Sequence, residues 1–138
     1  GPSRTATRAV ALGDLDSDGL LDIIVGDGVE GGVRLYINRG DASFEESRAI
    51  GAPGDTVFAL AVADLDGDGD EDVVVGNSRA PGAILSNDGS GHGFTLTRFS
   101  DAEGAVYGLA IGDVNRDGVA DIVAGRSDAP NTLYLGCC

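Results

Sequence analysis

The sequence predicts an all-β fold: three β-propeller blades, each a sheet of four antiparallel strands, forming a partial propeller completed by self-association. Three observations carry this. A unit of about fifty residues occurs three times, each unit opens with two short apolar segments of strand character, and polarity rises along each unit.

The period is read from landmarks. Asp14 to Asp64 spans 50 residues, and Asp64 to Asp113 spans 49. Asn38, Asn87 and Gly136 recur at 49 and 49, and Phe44 matches Phe94 at 50. The chain of 138 residues is therefore one domain with repeats at about 7–55, 56–104 and 105–138. The third repeat stops at "LYLG", before its last strand.

Within a repeat the elements follow in order. The first segment is "AVALGD", "FALAVAD" or "YGLAIGD". Large and small residues alternate in it, which is the period of a strand. Neither face is polar, so both faces are expected to be buried, the small-residue face under a closely approaching sheet. The second segment, "DIIVG", "DVVVG" or "DIVAG", is short, apolar and mostly β-branched, a strand buried on both sides. The third, "VRLYIN", "GAILSN" or "NTLYLG", is mixed. The fourth, "FEESRAI" or "FTLTRF", is mostly polar. A sheet whose strands run from a crowded interior to solvent, with both faces packed on neighbours, is a propeller blade. A solenoid is the rival, but four short strands per unit suit a blade better. Three blades leave open faces and an unpaired edge, and these motivate the expected self-association.

Composition narrows the function. Gly contributes 23 residues and aromatics only 5%, favouring short strands and tight turns. The formal charge is −14, with nine Arg and no Lys, a balance that repels nucleic acid. No apolar run approaches the roughly 20 residues of a membrane span, so no membrane insertion is expected. The chain begins Gly1-Pro2 and contains no Met, and is read as an excised segment of something longer. The two cysteines, Cys137 and Cys138, are adjacent and lack partners at zinc spacing. They are read as exposed thiols.

Between the first and second strands lies the acidic loop. Its positions 1, 3, 5 and 9 are Asp14, Asp16, Asp18 and Asp22 in repeat one. They are Asp64, Asp66, Asp68 and Asp72 in repeat two, and Asp113, Asn115, Asp117 and Asp121 in repeat three. Position 6 is always glycine: Gly19, Gly69 and Gly118. Alternate residues point to one side of a curled loop, and glycine permits the left-handed turn that closes it. The position 7 carbonyl of Leu20, Asp70 or Val119 is expected to face inward. Five or six converging oxygens make a Ca²⁺ site, giving three sites, one per repeat. Two carboxylates about 4 Å apart repel by roughly 4 kcal/mol at an effective dielectric near 20, and a dication reverses that sign. An EF-hand is excluded, because position 12 is Val25, Val75 or Ala124 and the loop exits into a strand.

On these residues the chain resembles the FG-GAP/VCBS repeat family, the calcium-bearing blades of integrin α-subunit heads. The shared pattern is an apolar strand, D-x-D-x-D-G-x-x-D, a second apolar strand and glycine, then a later element present here as "LYINRGDASF" and "ILSNDGSGHGF". The resemblance implies a propeller in a secreted or cell-surface (extracellular) protein, with calcium mainly structural. Such propellers usually close with about seven blades, and this chain supplies three.

The remaining motifs are read conservatively. Arg39-Gly40-Asp41 spells a tripeptide that integrins recognise, but it occupies the turn before the fourth strand. His92, the only histidine, sits in a glycine-rich turn. No nucleophile, phosphate loop or redox motif is present, so the chain is expected not to be an enzyme. Phe58 and Tyr107 open the first strands of repeats two and three, where repeat one has Arg8. Packing between blades is the first reading for them, and a ligand surface the second. The sequence thus points to a non-enzymatic, calcium-binding recognition or cell-adhesion segment with a protein or glycan ligand. The alternatives are a non-catalytic glycan-binding segment of a polysaccharide-active enzyme and a purely structural assembly module.

Overall fold

The computed structural model describes residues 6–28, 32–45, 48–51, 54–99 and 103–136. The cysteine pair Cys137-Cys138 lies outside them. The described residues form strands and turns without a helix.

The sheet of each repeat is labelled its blade; the sheet labelled blade one consists of β1 (Thr7–Gly13), β2 (Asp22–Asp27), β3 (Val33–Tyr36) and β6 (Arg48–Gly51), hydrogen-bonded in that order. A side hairpin, β4 (Asn38–Gly40) with β5 (Ser43–Phe44), interrupts it. Blade two is β7 (Val57–Ala63), β8 (Asp72–Asn77), β9 (Gly82–Asn87) and β10 (Phe94–Phe99). Blade three has β11 (Ala105–Gly112), β12 (Asp121–Ser127) and β13 (Thr132–Tyr134). Every pairing is antiparallel. Among the described residues the third sheet has three strands.

Two expectations need correction. The fourth strand of repeat one was placed on "FEESRAI", but Phe44 belongs to the side hairpin and the blade strand begins at Arg48. The cause is a reversal at Gly40, Asp41 and Ala42, whose φ angles of 87°, 53° and 59° fold the chain back on itself. Phe44 is therefore exposed and not the counterpart of Phe94, which opens β10. Second, the first strand is covered on both faces only in blade two. In β1 and β11 one face is open, because blades one and three each have a neighbour on one side only.

The packing between blades follows the large-and-small alternation. Valine of each following blade seats on a glycine of the preceding one. A Cβ built on Gly26 would lie 2.4 Å from Val57 Cγ1, and one on Gly76 would lie 2.6 Å from Val106 Cγ1. Gly13 likewise receives Val62. No side chain fits in those gaps, so glycine is required by close approach. Around the first joint lies the main core, with Leu15, Ile24, Val33, Leu35, Ile37, Val57, Val73, Val75 and Leu85 buried. The second joint has a smaller cluster of Ala59, Val106 and Ala124.

A methyl added at a glycine socket must displace a valine from a dense joint. Gly26→Ala and Gly76→Ala are each expected to lower unfolding free energy by about 1–3 kcal/mol in urea titrations. Midpoints unchanged from the parent protein would contradict the socket account.

Candidate metal centres

Each acidic loop is built by its own backbone bonds to its own carboxylates. The position 1 carboxylate caps the curl. Asp14 accepts from Asp18 N–H at 3.1 Å and Gly19 N–H at 2.8 Å, Asp64 from Gly67 and Gly69 at 2.9 Å each, and Asp113 from Asp117 at 3.1 Å and Gly118 at 2.8 Å. The position 5 carboxylate accepts from the position 7 amide, at 2.8 Å for Leu20 and 2.9 Å for Asp70 and Val119. Gly19, Gly69 and Gly118 have φ near 90°, as the curl requires. Position 4 is also left-handed, at Ser17 (62°), Gly67 (77°) and Arg116 (61°), and sequence reasoning missed it. Only one of the three is glycine, so the pattern carried no signal.

This geometry brings carboxylates together. Oxygens of Asp14, Asp16 and Asp18 lie within 4.8 Å of one another, and so do those of Asp64, Asp66 and Asp72. Repeat three closes the same curl, but with a difference. Asn115 donates its side-chain amide to Asp117 at 3.1 Å, so a neutral contact stands where the other loops oppose two carboxylates.

Position 9 has a role that the spacing did not announce. Asp22, Asp72 and Asp121 are wholly buried. One carboxylate oxygen accepts the position 2 amide, from Leu15 at 2.8 Å, Leu65 at 2.9 Å or Val114 at 2.9 Å. The other accepts an amide at the end of the third strand or two residues beyond it, from Asn38 at 2.9 Å, Asn87 at 2.9 Å or Gly136 at 2.7 Å. The residue read as a ligand is thus first a staple between the loop, strand two and strand three.

Two contacts tie the first loop to blade two. Glu71 Oε2 accepts the Asp14 amide at 2.7 Å, and Asn87 donates its side-chain amide to the Leu15 carbonyl at 2.7 Å. Both cross the joint, and a motif confined to one repeat cannot show them.

The electrostatics follow from this crowding. Burial pushes the Asp16 carboxyl above its ordinary value, and the Asp22 charge adds to that. Burial likewise raises Asp66, helped by its hydrogen bond with Asp68. Burial raises Asp72 against the two backbone N–H groups that favour its ionised form. Asp64 goes the other way, held low chiefly by the Gly69 N–H.

The other singled-out residues are placed as follows. Arg39 forms an ion pair with Glu45 at 2.6 Å, and Gly40 and Asp41 stand at the reversal of the side hairpin. His92 is exposed, with Nδ1 2.8 Å from the Ser90 carbonyl oxygen. Arg8, Phe58 and Tyr107 each sit at a register shift of their first strand, a bulge made three times. They form a column: the Arg8 guanidinium lies 4.8 Å from the Phe58 ring centroid, and the Phe58 and Tyr107 rings lie 5.1 Å apart. Phe58 and Tyr107 also line an open cleft of about 620 Å³ with Thr56, Ser78, Arg79 and Asp128.

The position 9 staple is testable without metal. Asp72→Ala leaves two amides without their acceptor and is expected to cost about 2–4 kcal/mol in chelator. Asp66→Ala removes a loop carboxylate whose one backbone donor, the Asp68 amide at 3.2 Å, is exposed to water, and is expected to change stability by under about 1 kcal/mol. Equal losses in urea melts would sink the distinction.

A family model described as an FG-GAP-like repeat matches residues 14–75 and again 64–124. Each match runs from one acidic loop through the second strand of the following blade. No curated protein matches the chain.

Proposed function

This chain belongs to the FG-GAP-like repeat family, and from that premise we propose that its three acidic loops bind Ca²⁺ within a non-enzymatic recognition module. The observation that supports this is the convergence of aspartate oxygens in the curled loops. Those oxygens are hard donors, without histidine or cysteine, and they suit calcium better than zinc. Positions 1, 3, 5 and 9 would supply carboxylates, with Asn115 an amide oxygen in the third loop. The position 7 carbonyls of Leu20, Asp70 and Val119 would complete each set. Bound calcium offsets the repulsion among the carboxylates and fixes strand one to strand two.

The reading extends to place. FG-GAP-like repeats are typical of extracellular proteins, and free calcium there is high enough for weak sites. No helix among the described residues is long and apolar enough to cross a membrane. Secretion or surface display, with adhesion to a protein or glycan, is the setting we propose.

Calcium is expected to raise the unfolding free energy, by about 2.7 kcal/mol per site at a hundredfold excess over Kd. Calorimetric titration of Asp14→Ala, Asp64→Ala and Asp113→Ala resolves the sites. The third should be weakest, because Asn115 contributes no charge and already quiets Asp117. Equal affinities would refute that order, and no heat with any variant or the parent chain would refute calcium binding.

Acid should weaken binding. Asp16, Asp66 and Asp72 hold their protons to higher pH than ordinary carboxyls, whose value is 3.8. An incoming dication must displace those protons. In the metal-free chain the sign reverses. The folded state binds these protons more tightly than the unfolded state, so these groups favour folding in acid, and that contribution is lost as pH rises through their raised values. Calcium affinity is therefore expected to fall as pH is lowered from neutrality toward the ordinary carboxyl value of 3.8, with protons released on binding. A pH-independent affinity over that range would contradict this.

A further inference from the structure

We infer, building on the calcium reading above, that Glu71 is a positioning residue for the ion of the first loop, and that the first and second loops therefore bind their ions as a coupled pair. The link runs between two repeats and is contained in neither.

Two acidic side chains of the second loop have no place in the metal pattern. Positions 1, 3, 5 and 9 are Asp64, Asp66, Asp68 and Asp72, and Asp70 enters only through its carbonyl. The side chains of Asp70, at position 7, and Glu71, at position 8, are left over. The other loops carry Leu20 and Leu21, or Val119 and Ala120, at those positions. Further negative charge beside four carboxylates is unfavourable unless it meets a donor elsewhere.

Both side chains are turned onto the first loop. Glu71 Oε2 accepts the Asp14 amide at 2.7 Å, and Asp70 Oδ1 lies 3.4 Å from the Ser17 hydroxyl. The fit at Glu71 is close, since a Cβ built on Gly13 would lie 2.7 Å from the same oxygen. Asn87 reinforces the tie. Its side-chain nitrogen donates to the Leu15 carbonyl at 2.7 Å and to the Glu71 carbonyl at 3.0 Å, so one amide group spans the two loops. The Asn87 backbone amide is held in turn by Asp72.

These contacts connect ligand to ligand. Glu71 stands between the Asp70 carbonyl and the Asp72 carboxylate, positions 7 and 9 of the second site. Its own carboxylate holds the backbone of Asp14, position 1 of the first site. An ion in the second loop would fix positions 7 and 9, and with them the residue between. Without that ion, repulsion among Asp64, Asp66, Asp68 and Asp72 favours a looser curl, and Glu71 is held less firmly. The first ion must then order Asp14 by itself, and its affinity falls. By linkage the effect is mutual, so each ion raises the affinity for the other by the same factor. Direct repulsion between the two ions acts in the opposite sense, but salt screens it over roughly 8 Å at physiological ionic strength.

The second and third loops lack this link. Ala120 stands where the glutamate does and Val119 where the aspartate does, and neither side chain can accept a hydrogen bond. Between these loops lies a cleft of about 170 Å³, whose lining includes Asp64, Gly67, Val119 and Ala120. The third site should therefore fill independently of the other two.

The test is calcium titration of the whole chain at about 0.15 M salt. Nuclear magnetic resonance follows the amides of Gly19, Gly69 and Gly118, one position 6 reporter in each loop. Asp64→Ala empties the second loop, and should weaken binding at Gly19 by about fivefold while Gly118 keeps its midpoint. Two further variants separate reach from charge. Glu71→Asp keeps the charge but is one methylene too short for the Asp14 amide, and should also weaken the first site by about fivefold. Glu71→Gln keeps the reach and an acceptor oxygen, and should lie closer to the parent chain than to Glu71→Asp. The spectra show directly that each variant is folded. A Gly19 midpoint that is the same in Asp64→Ala as in the parent chain would overturn the coupling. Glu71→Asp equal to the parent, or Glu71→Gln as weak as Glu71→Asp, would overturn the positioning role. So would a shift at Gly118 as large as that at Gly19, the mark of a general loss of stability. Independent filling of the three loops would leave the calcium reading standing and refute only the coupling. No response to calcium at any of the three amides would refute both.

Discussion

The constraint on which the rest depends is the buried aspartate that opens the second strand of each blade. Asp22, Asp72 and Asp121 are carboxylates without access to water, a state that is costly unless both oxygens accept hydrogen bonds. Backbone amides from two different segments meet that demand in each blade. Removing the carboxylate would strand both amides, and removing either amide would strand the charge. The loop cannot open without pulling on the end of the third strand. A metal held by the loop would therefore act on the whole blade.

The second constraint is steric, and it works between blades rather than within them. Glycine at Gly26 and Gly76 lets valine approach to a distance that any Cβ would forbid. The apolar run of the second strand ends in glycine because the following sheet occupies that space. The same rule explains why the joints form in one order only. Large residues of the first strand face the preceding blade, and small residues face the following one, so each blade is directional and a stack of them is polar.

Much of this was legible from residues alone. Alternation in Phe58 to Ala63 and Tyr107 to Gly112 identified the first strands, and the small face foretold the close approach. The loops were legible because each is local, with its ligating and capping groups inside nine residues. What failed was non-local or without sequence signal. The side hairpin turns on Asp41 and Ala42 in a left-handed conformation, and alanine gives no hint of that. The staple role of position 9 needs the third strand, some sixteen residues on in blade one. The open end faces were hidden because each apolar pattern was read as if every blade had two neighbours.

The loops and the joints are not independent. The first loop is braced by the next blade, through Glu71 on the Asp14 amide and Asn87 on the Leu15 carbonyl. Gly91 of blade two also lies against Asp16 and the Leu15 carbonyl. The third loop has one carboxylate fewer at position 3, and among the described residues no sheet follows it. The lower charge is written in the loop's own residues, whereas a brace of the kind the first loop has is not, because it comes from another sheet.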